Sequence, residues 1–98
     1  MSYRLDRLSI LLVEDSDIIR KLLFSILRSL DVGQVYTARN GQEAIDFLMS
    51  RARSGLPGQA PVDLILSDLV MAPTDGAMLL RWVRRSEDSP DRFLPFVM

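Results

Sequence analysis

The sequence predicts an α/β domain built on a doubly wound parallel sheet. Three observations carry that prediction. Short apolar runs recur along the chain, at residues 8–13 (LSILLV) and 62–67 (VDLILS), and again from 94 to 98 (LPFVM). Between them lie segments whose apolar residues repeat at three- and four-residue spacing. Two of the runs, moreover, stop abruptly at carboxylates.

Residues 8–13 are apolar and branched, as a strand buried on both faces must be. From Ser16 the period changes. Ile19, Leu22, Leu23, Ile26, Leu27 and Leu30 fit one amphipathic helix packing on a sheet. Ser16 suits its N-cap, Asp17 its first turn, and Gly33 lies just past its end. Residues 34–38 (QVYTA) form a short second strand. Asn40 and Glu43 resemble a capping box that opens a second helix, with Ala44, Ile45, Leu48 and Met49 on its apolar face. Residues 51–61 (RARSGLPGQAP) carry two Gly and two Pro and read as a solvent loop. The third strand spans 62–67, with Ile65 expected in the core beside Val13 and Leu23. Residues 68–76 read as a loop. Leu79, Leu80, Trp82 and Val83 belong to a third helix that ends near Ser86. A fourth strand opens at Leu94. Strands alternating with helices imply parallel pairing through right-handed crossovers.

The bulk composition narrows the function. Ninety-eight residues, 48% hydrophobic, support one small folded domain. Twelve basic residues nearly balance 13 acidic ones, so no dedicated nucleic-acid or membrane surface is indicated. Eleven of the basic residues are Arg, and Lys21 is the single Lys. With no Cys, there is no disulfide framework and no thiolate metal site. With no His, the chain itself carries neither histidine acid–base catalysis nor phosphohistidine chemistry. The opening apolar run is too short for a signal peptide, and carboxylates follow it at once. A reducing, cytoplasmic setting is the expectation. Arg81, Arg84 and Arg85 read as a solvated helix face, and Trp82 as a packing residue.

The chemistry lies in the acids that end the strands. Residues 10–13 run straight into Glu14 and Asp15, and residues 64–67 run into Asp68. Acids at such places are often helix caps and no more. In doubly wound sheets, however, ligands sit beyond the carboxyl ends of strands where the strand order reverses. If the first and third strands flank that point, Glu14, Asp15 and Asp68 converge there. Clustered carboxylates repel one another unless a cation sits among them. Mg²⁺, a hard ion that prefers oxygen, suits such a site. One carboxylate could then act as a nucleophile toward phosphorus. Asp17 fits a first-turn helix acid better than a ligand. Asp63 and Asp75 fit a strand entry and a helix cap, and Asp31 and Asp46 solvated positions.

LLVEDSD followed by ILSDLVMAPTDG resembles the receiver domain of two-component response regulators. That family shows an acidic pair after the first strand and an Asp after the third, then Met three residues on and Gly eight residues on. Glu14-Asp15, Asp68, Met71 and Gly76 stand at those places. The family's Pro usually comes four residues after the Asp; here Ala72 is there and Pro73 follows. The resemblance implies a flavodoxin-like receiver fold with strand order 2-1-3-4(-5). It implies that Asp68 accepts a phosphoryl group from a sensor histidine kinase or phosphotransfer protein. It implies Mg²⁺ bound directly by Asp15 and Asp68, through water by Glu14, and by the backbone carbonyl of Val70. The apolar side chain of Val70 stands at a position that influences phosphoryl lifetime in the family.

The family pattern also requires a Thr or Ser after the fourth strand and a Lys at the end of the fifth. Neither has a counterpart before Met98. Lys21, on the first helix, does not match that Lys, and Thr37 and Thr74 lie elsewhere. Residues 1–98 thus read as one receiver domain, incomplete at its C-terminus. A fourth strand left at the edge, with Phe96, Val97 and Met98 apolar, favours self-association.

Two other readings compete. One is a phosphorylation-independent interaction module on the same fold. The other is an Asp-nucleophile phosphatase of the haloacid-dehalogenase type, for which Asp15-Ser16-Asp17 supplies the Asp-x-Asp motif. That second reading leaves Asp68 and the MAPTDG loop without a role.

Overall fold

The structure is a computed structural model and describes residues 5–54, 62–67, 73–86 and 95–97. A 3-10 turn at Leu5–Arg7 precedes the first strand, β1 (Ser9–Val13). The chain continues through α1 (Asp17–Ser29), β2 (Gln34–Ala38), α2 (Gly41–Ser54), β3 (Leu64–Ser67), α3 (Pro73–Arg85) and β4 (Phe96–Val97). The four strands form one parallel sheet in the order β2-β1-β3-β4. Strand order therefore reverses at β1, which pairs with β2 on one side and β3 on the other.

Alternation along the strands divides the sheet's residues between two faces. Leu11 and Val13, with Leu11's register partner Ile65, join Ala44, Ile45 and Leu48 of α2 and Leu79 and Val83 of α3 in one buried cluster. Each such aliphatic side chain, wholly withdrawn from water, contributes about 1.5–3 kcal/mol. Tyr36, Phe47, Trp82 and Phe96 pack at its margin. Ile10 and Leu12 point to the opposite face with their β3 partners, Leu64 and Leu66.

Ile65 and Val13 thus share the core as expected, but Leu23 does not join them. Leu23 belongs to α1, which contacts β1 and β2 and contributes no buried residue. Leu23 and Leu27 are half-buried, whereas Ile18, Leu22, Ile26 and Leu30 remain largely exposed. The apolar periodicity of α1 is wider than the surface it covers.

Local chemistry sets the helix ends. The Ser16 hydroxyl accepts the Ile19 amide at 3.3 Å and caps α1. After the C-cap Leu30, Asp31 takes the left-handed conformation (φ 59°) that stops the helix, a role more often given to Gly. Gly33 serves a different need. Its amide donates to the Leu5 carbonyl at 3.0 Å, and a Cβ there would collide with the Asp6 carbonyl. Asn40 Oδ1 accepts the Glu43 amide at 2.8 Å, while Glu43 Oε1 reaches back to the Arg39 amide at 3.0 Å.

Element boundaries differ from the sequence expectation at two strands and two helices: β3 begins at Leu64, not Val62, and β4 at Phe96, not Leu94. Helix α2 continues through Ser54 instead of yielding to a loop at Arg51. Arg51 lies over the rings of Tyr36 and Phe47 and donates to the Tyr36 hydroxyl at 2.9 Å, holding that turn to the sheet. Helix α3 begins at Pro73, not after Gly76, so Asp75 falls within its first turn. Proline is well suited to the first helical position because its missing N–H would have had no partner there.

Candidate functional site

Val13 and Ser67 are register partners in β1 and β3, so these two strands end side by side. Beyond Val13 the chain turns through Glu14, Asp15 and Ser16 into α1. The Glu14 amide donates to Ala38 O at 3.0 Å and carries the β1–β2 ladder one residue further. Glu14 is buried, at 1% exposure, and its Oε2 accepts the Ser16 amide at 2.8 Å. Asp15 is exposed. The acidic pair is thus split in environment: one carboxylate is tucked into the turn and one is open to solvent.

Arg20 closes this turn from the helix side. Its Nη1 donates to the Glu14 carbonyl at 3.0 Å, and its Nη2 pairs with Asp17 Oδ1. Asp17 has its pKa held below the ordinary 3.8, first by the hydrogen bond from Arg20 and then by that guanidinium's charge. Asp17 is therefore a helix-turn acid engaged with Arg20. Sequence reasoning missed Arg20, although the Asp17–Arg20 spacing of three on a helix was visible.

Asp68, Val70 and Met71 lie outside the described residues. Among the described residues, no group of three acids is placed to hold a metal ion. The Ser67 hydroxyl, at the end of β3, is buried and has no hydrogen-bond partner among them. The donor set that the turn does present, Glu14 and Asp15, is all carboxylate oxygen, which fits a hard cation such as Mg²⁺.

The remaining expectations fall as follows. Asp63 brackets the start of the sheet: its carboxylate accepts the Ser9 amide at 2.8 Å. Asp31 and Asp46 are exposed, as are Arg81, Arg84 and Arg85. Lys21 and Thr37 line an open groove of about 490 Å³ between α1 and β2, together with Arg20, Phe24 and Ser25. Glu14 and Asp15 do not line this groove. No helix among the described residues is long and apolar enough to cross a membrane.

A model of the response regulator receiver domain matches residues 10–94. The chain belongs to that family. Solved receiver domains share the architecture. The receiver domain of the histidine kinase CKI1 from Arabidopsis thaliana, solved as a complex with Mg²⁺ and BeF₃⁻, aligns with a TM-score of 0.80 at 27% identity. That alignment covers 94% of this chain and 64% of the other. The bacteriophytochrome response regulator AtBRR aligns at 0.72 with 31% identity, over 93% of this receiver and 64% of its own chain. Chemotaxis response regulator CheY4 of Vibrio cholerae aligns at 0.65 with 26% identity, over 91% and 64%. This receiver therefore spans 64% of the length of these neighbours, less than two-thirds. A search of curated proteins finds no match. The parallel 2-1-3-4 sheet with its three helices is the receiver fold expected from the sequence.

Proposed function

We propose that this receiver domain is a phosphoacceptor. It takes a phosphoryl group from the phosphohistidine of a sensor kinase or phosphotransfer protein onto Asp68. An Asp68 carboxylate oxygen forms the new bond to phosphorus, the P–N bond breaks, and the imidazole leaves with the bonding pair. The carboxylates of Glu14, Asp15 and Asp68 and the carbonyl of Val70 would hold Mg²⁺. When bound, the ion offsets negative charge on the transferred oxygens.

The observation that supports this reading most is the Glu14–Asp15 turn, set at the end of β1 where β3 ends beside it. This is the switch point of the sheet, the place where doubly wound folds take their ligands. Glu14 and Arg20 brace the turn from inside while Asp15 stays open to solvent, so an ion can reach it without unfolding. The Mg²⁺ and BeF₃⁻ complex of the CKI1 receiver supports the same chemistry by likeness. A cytoplasmic setting accords with a histidine-kinase partner.

The test is incubation with acetyl phosphate, with and without Mg²⁺, read by intact mass. One phosphoryl group per chain is expected, dependent on Mg²⁺ and lost in Asp68→Asn. Undiminished labelling of that variant would refute the assignment.

A further inference from the structure

Arg20 is absorbed neither by the sheet nor by the helix surface. It sits on α1, half-buried, with both terminal nitrogens engaged. One reaches six residues back along the chain to the Glu14 carbonyl, and the other takes Asp17. The Glu14 carbonyl belongs to the peptide unit that leads into Asp15. Holding that oxygen fixes the plane of the peptide and with it the direction in which Asp15 leaves the strand. The opposite side of the turn is fixed by Glu14 Oε2 on the Ser16 amide and by Ser16 Oγ on the Ile19 amide. The acidic turn is therefore clamped at both ends, and Arg20 supplies a cationic member of the clamp.

We propose that Arg20 is a positioning residue for the divalent-cation site: its planar fork orients the Glu14–Asp15 peptide so that the acidic pair can take the ion. The inference rests on the Mg²⁺ site of the phosphoacceptor reading and adds to it a residue that touches neither ion nor phosphoryl group. Two effects of Arg20 oppose each other. Its positive charge repels a nearby cation, so charge alone predicts that removing it tightens Mg²⁺ binding. Its geometry pre-organises the ligands, and loss of such an orienting partner typically weakens a metal site by about 10–100-fold. The sign of the change separates the two.

The experiment titrates Mg²⁺ into the 98-residue chain and follows the amide shifts of Ser16 and Ile19 by NMR, with urea unfolding measured in parallel. Arg20→Met removes charge and fork together. Arg20→Lys keeps the charge but offers a point donor in place of the fork. Both are expected to bind Mg²⁺ at least about tenfold more weakly than wild type. Asp17→Asn leaves Arg20 in place, loosens the far side of its fork and keeps the fold; a weakening of a few-fold is expected. An Arg20→Met affinity equal to or tighter than wild type would overturn the proposal, whatever happens to the urea midpoint. So would Arg20→Lys binding like wild type, because the planar fork would then be dispensable. Should Arg20→Met fail to fold, Arg20→Lys and Asp17→Asn decide, and wild-type affinity in both overturns it. A wild-type chain with no Mg²⁺-dependent shift at Ser16 would instead remove the metal site itself, and the inference with it.

Discussion

The Glu14 carboxylate and the Ser16 amide are joined at 2.8 Å across the turn that follows β1. A buried acid is thereby spent on the backbone while its neighbour Asp15 faces solvent. The two members of one acidic pair should therefore answer mutation differently.

Glu14→Ala is expected to destabilise the fold by about 1–3 kcal/mol, because it strips the Ser16 amide of its acceptor. Asp15→Asn should stay within about 0.5 kcal/mol of wild type, as exposed substitutions do. It should nevertheless weaken Mg²⁺ binding strongly. Urea unfolding and a Mg²⁺ titration, run on both variants, check this pair of outcomes. Equal stability losses would contradict it.

Ile65 lies fully buried between the strands and α2/α3, whereas Leu22 on α1 is 58% exposed. Ile65→Ala is expected to cost about 2–5 kcal/mol. Leu22→Ala should cost less than about 1 kcal/mol, since Ala also favours helix. A comparable loss at both sites would mean that α1 is better covered in solution than its exposure implies.

Asp17 should titrate below the ordinary aspartate value of 3.8 because Arg20 stabilises its charged form. A depressed folded-state pKa stabilises the fold above the unfolded value, and that contribution disappears as pH falls through the folded one. Carboxyl NMR should give a midpoint under 3.8 for Asp17, moving upward in Arg20→Met. A midpoint unchanged by that substitution would show that the pair does not persist in solution.

Much of this was legible in the sequence because the physics is local. β1 and β3 lie in short apolar runs bounded by polar residues, the pattern of a buried strand. β2 falls on residues 34–38, and the caps of Ser16 and Asn40 stand where their side chains can reach their own helices. What was not legible depends on contacts distant in sequence. Arg51 sits in a polar, Gly- and Pro-flanked stretch that reads as loop, yet stacking on Tyr36 and Phe47 keeps it helical. Apolar spacing alone could not show that α1 leaves Ile18 and Leu22 exposed, because periodicity reports a face and not what covers it. The spacing of Asp17 and Arg20 was visible, but the hold of Arg20 on the acidic turn was not, because its partner there is the Glu14 main-chain carbonyl, which carries no sequence signature. The acidic pair was found from sequence and stands at the strand end as expected. Asp68 and Val70 lie beyond the described residues, so their part in the site rests on the family motif.

The most direct test of the account locates the phosphoryl group. After acetyl phosphate and Mg²⁺, borohydride reduction converts an aspartyl phosphate to homoserine. Tandem mass spectrometry of two tryptic peptides then reads its position: Ser54–Arg81 carries Asp68, and Leu8–Arg20 carries Asp15 and Asp17. Homoserine is expected at position 68 and nowhere else, and is expected to be absent when Mg²⁺ is withheld. Homoserine at Asp15 or Asp17, or none in a folded chain that binds Mg²⁺, would contradict it.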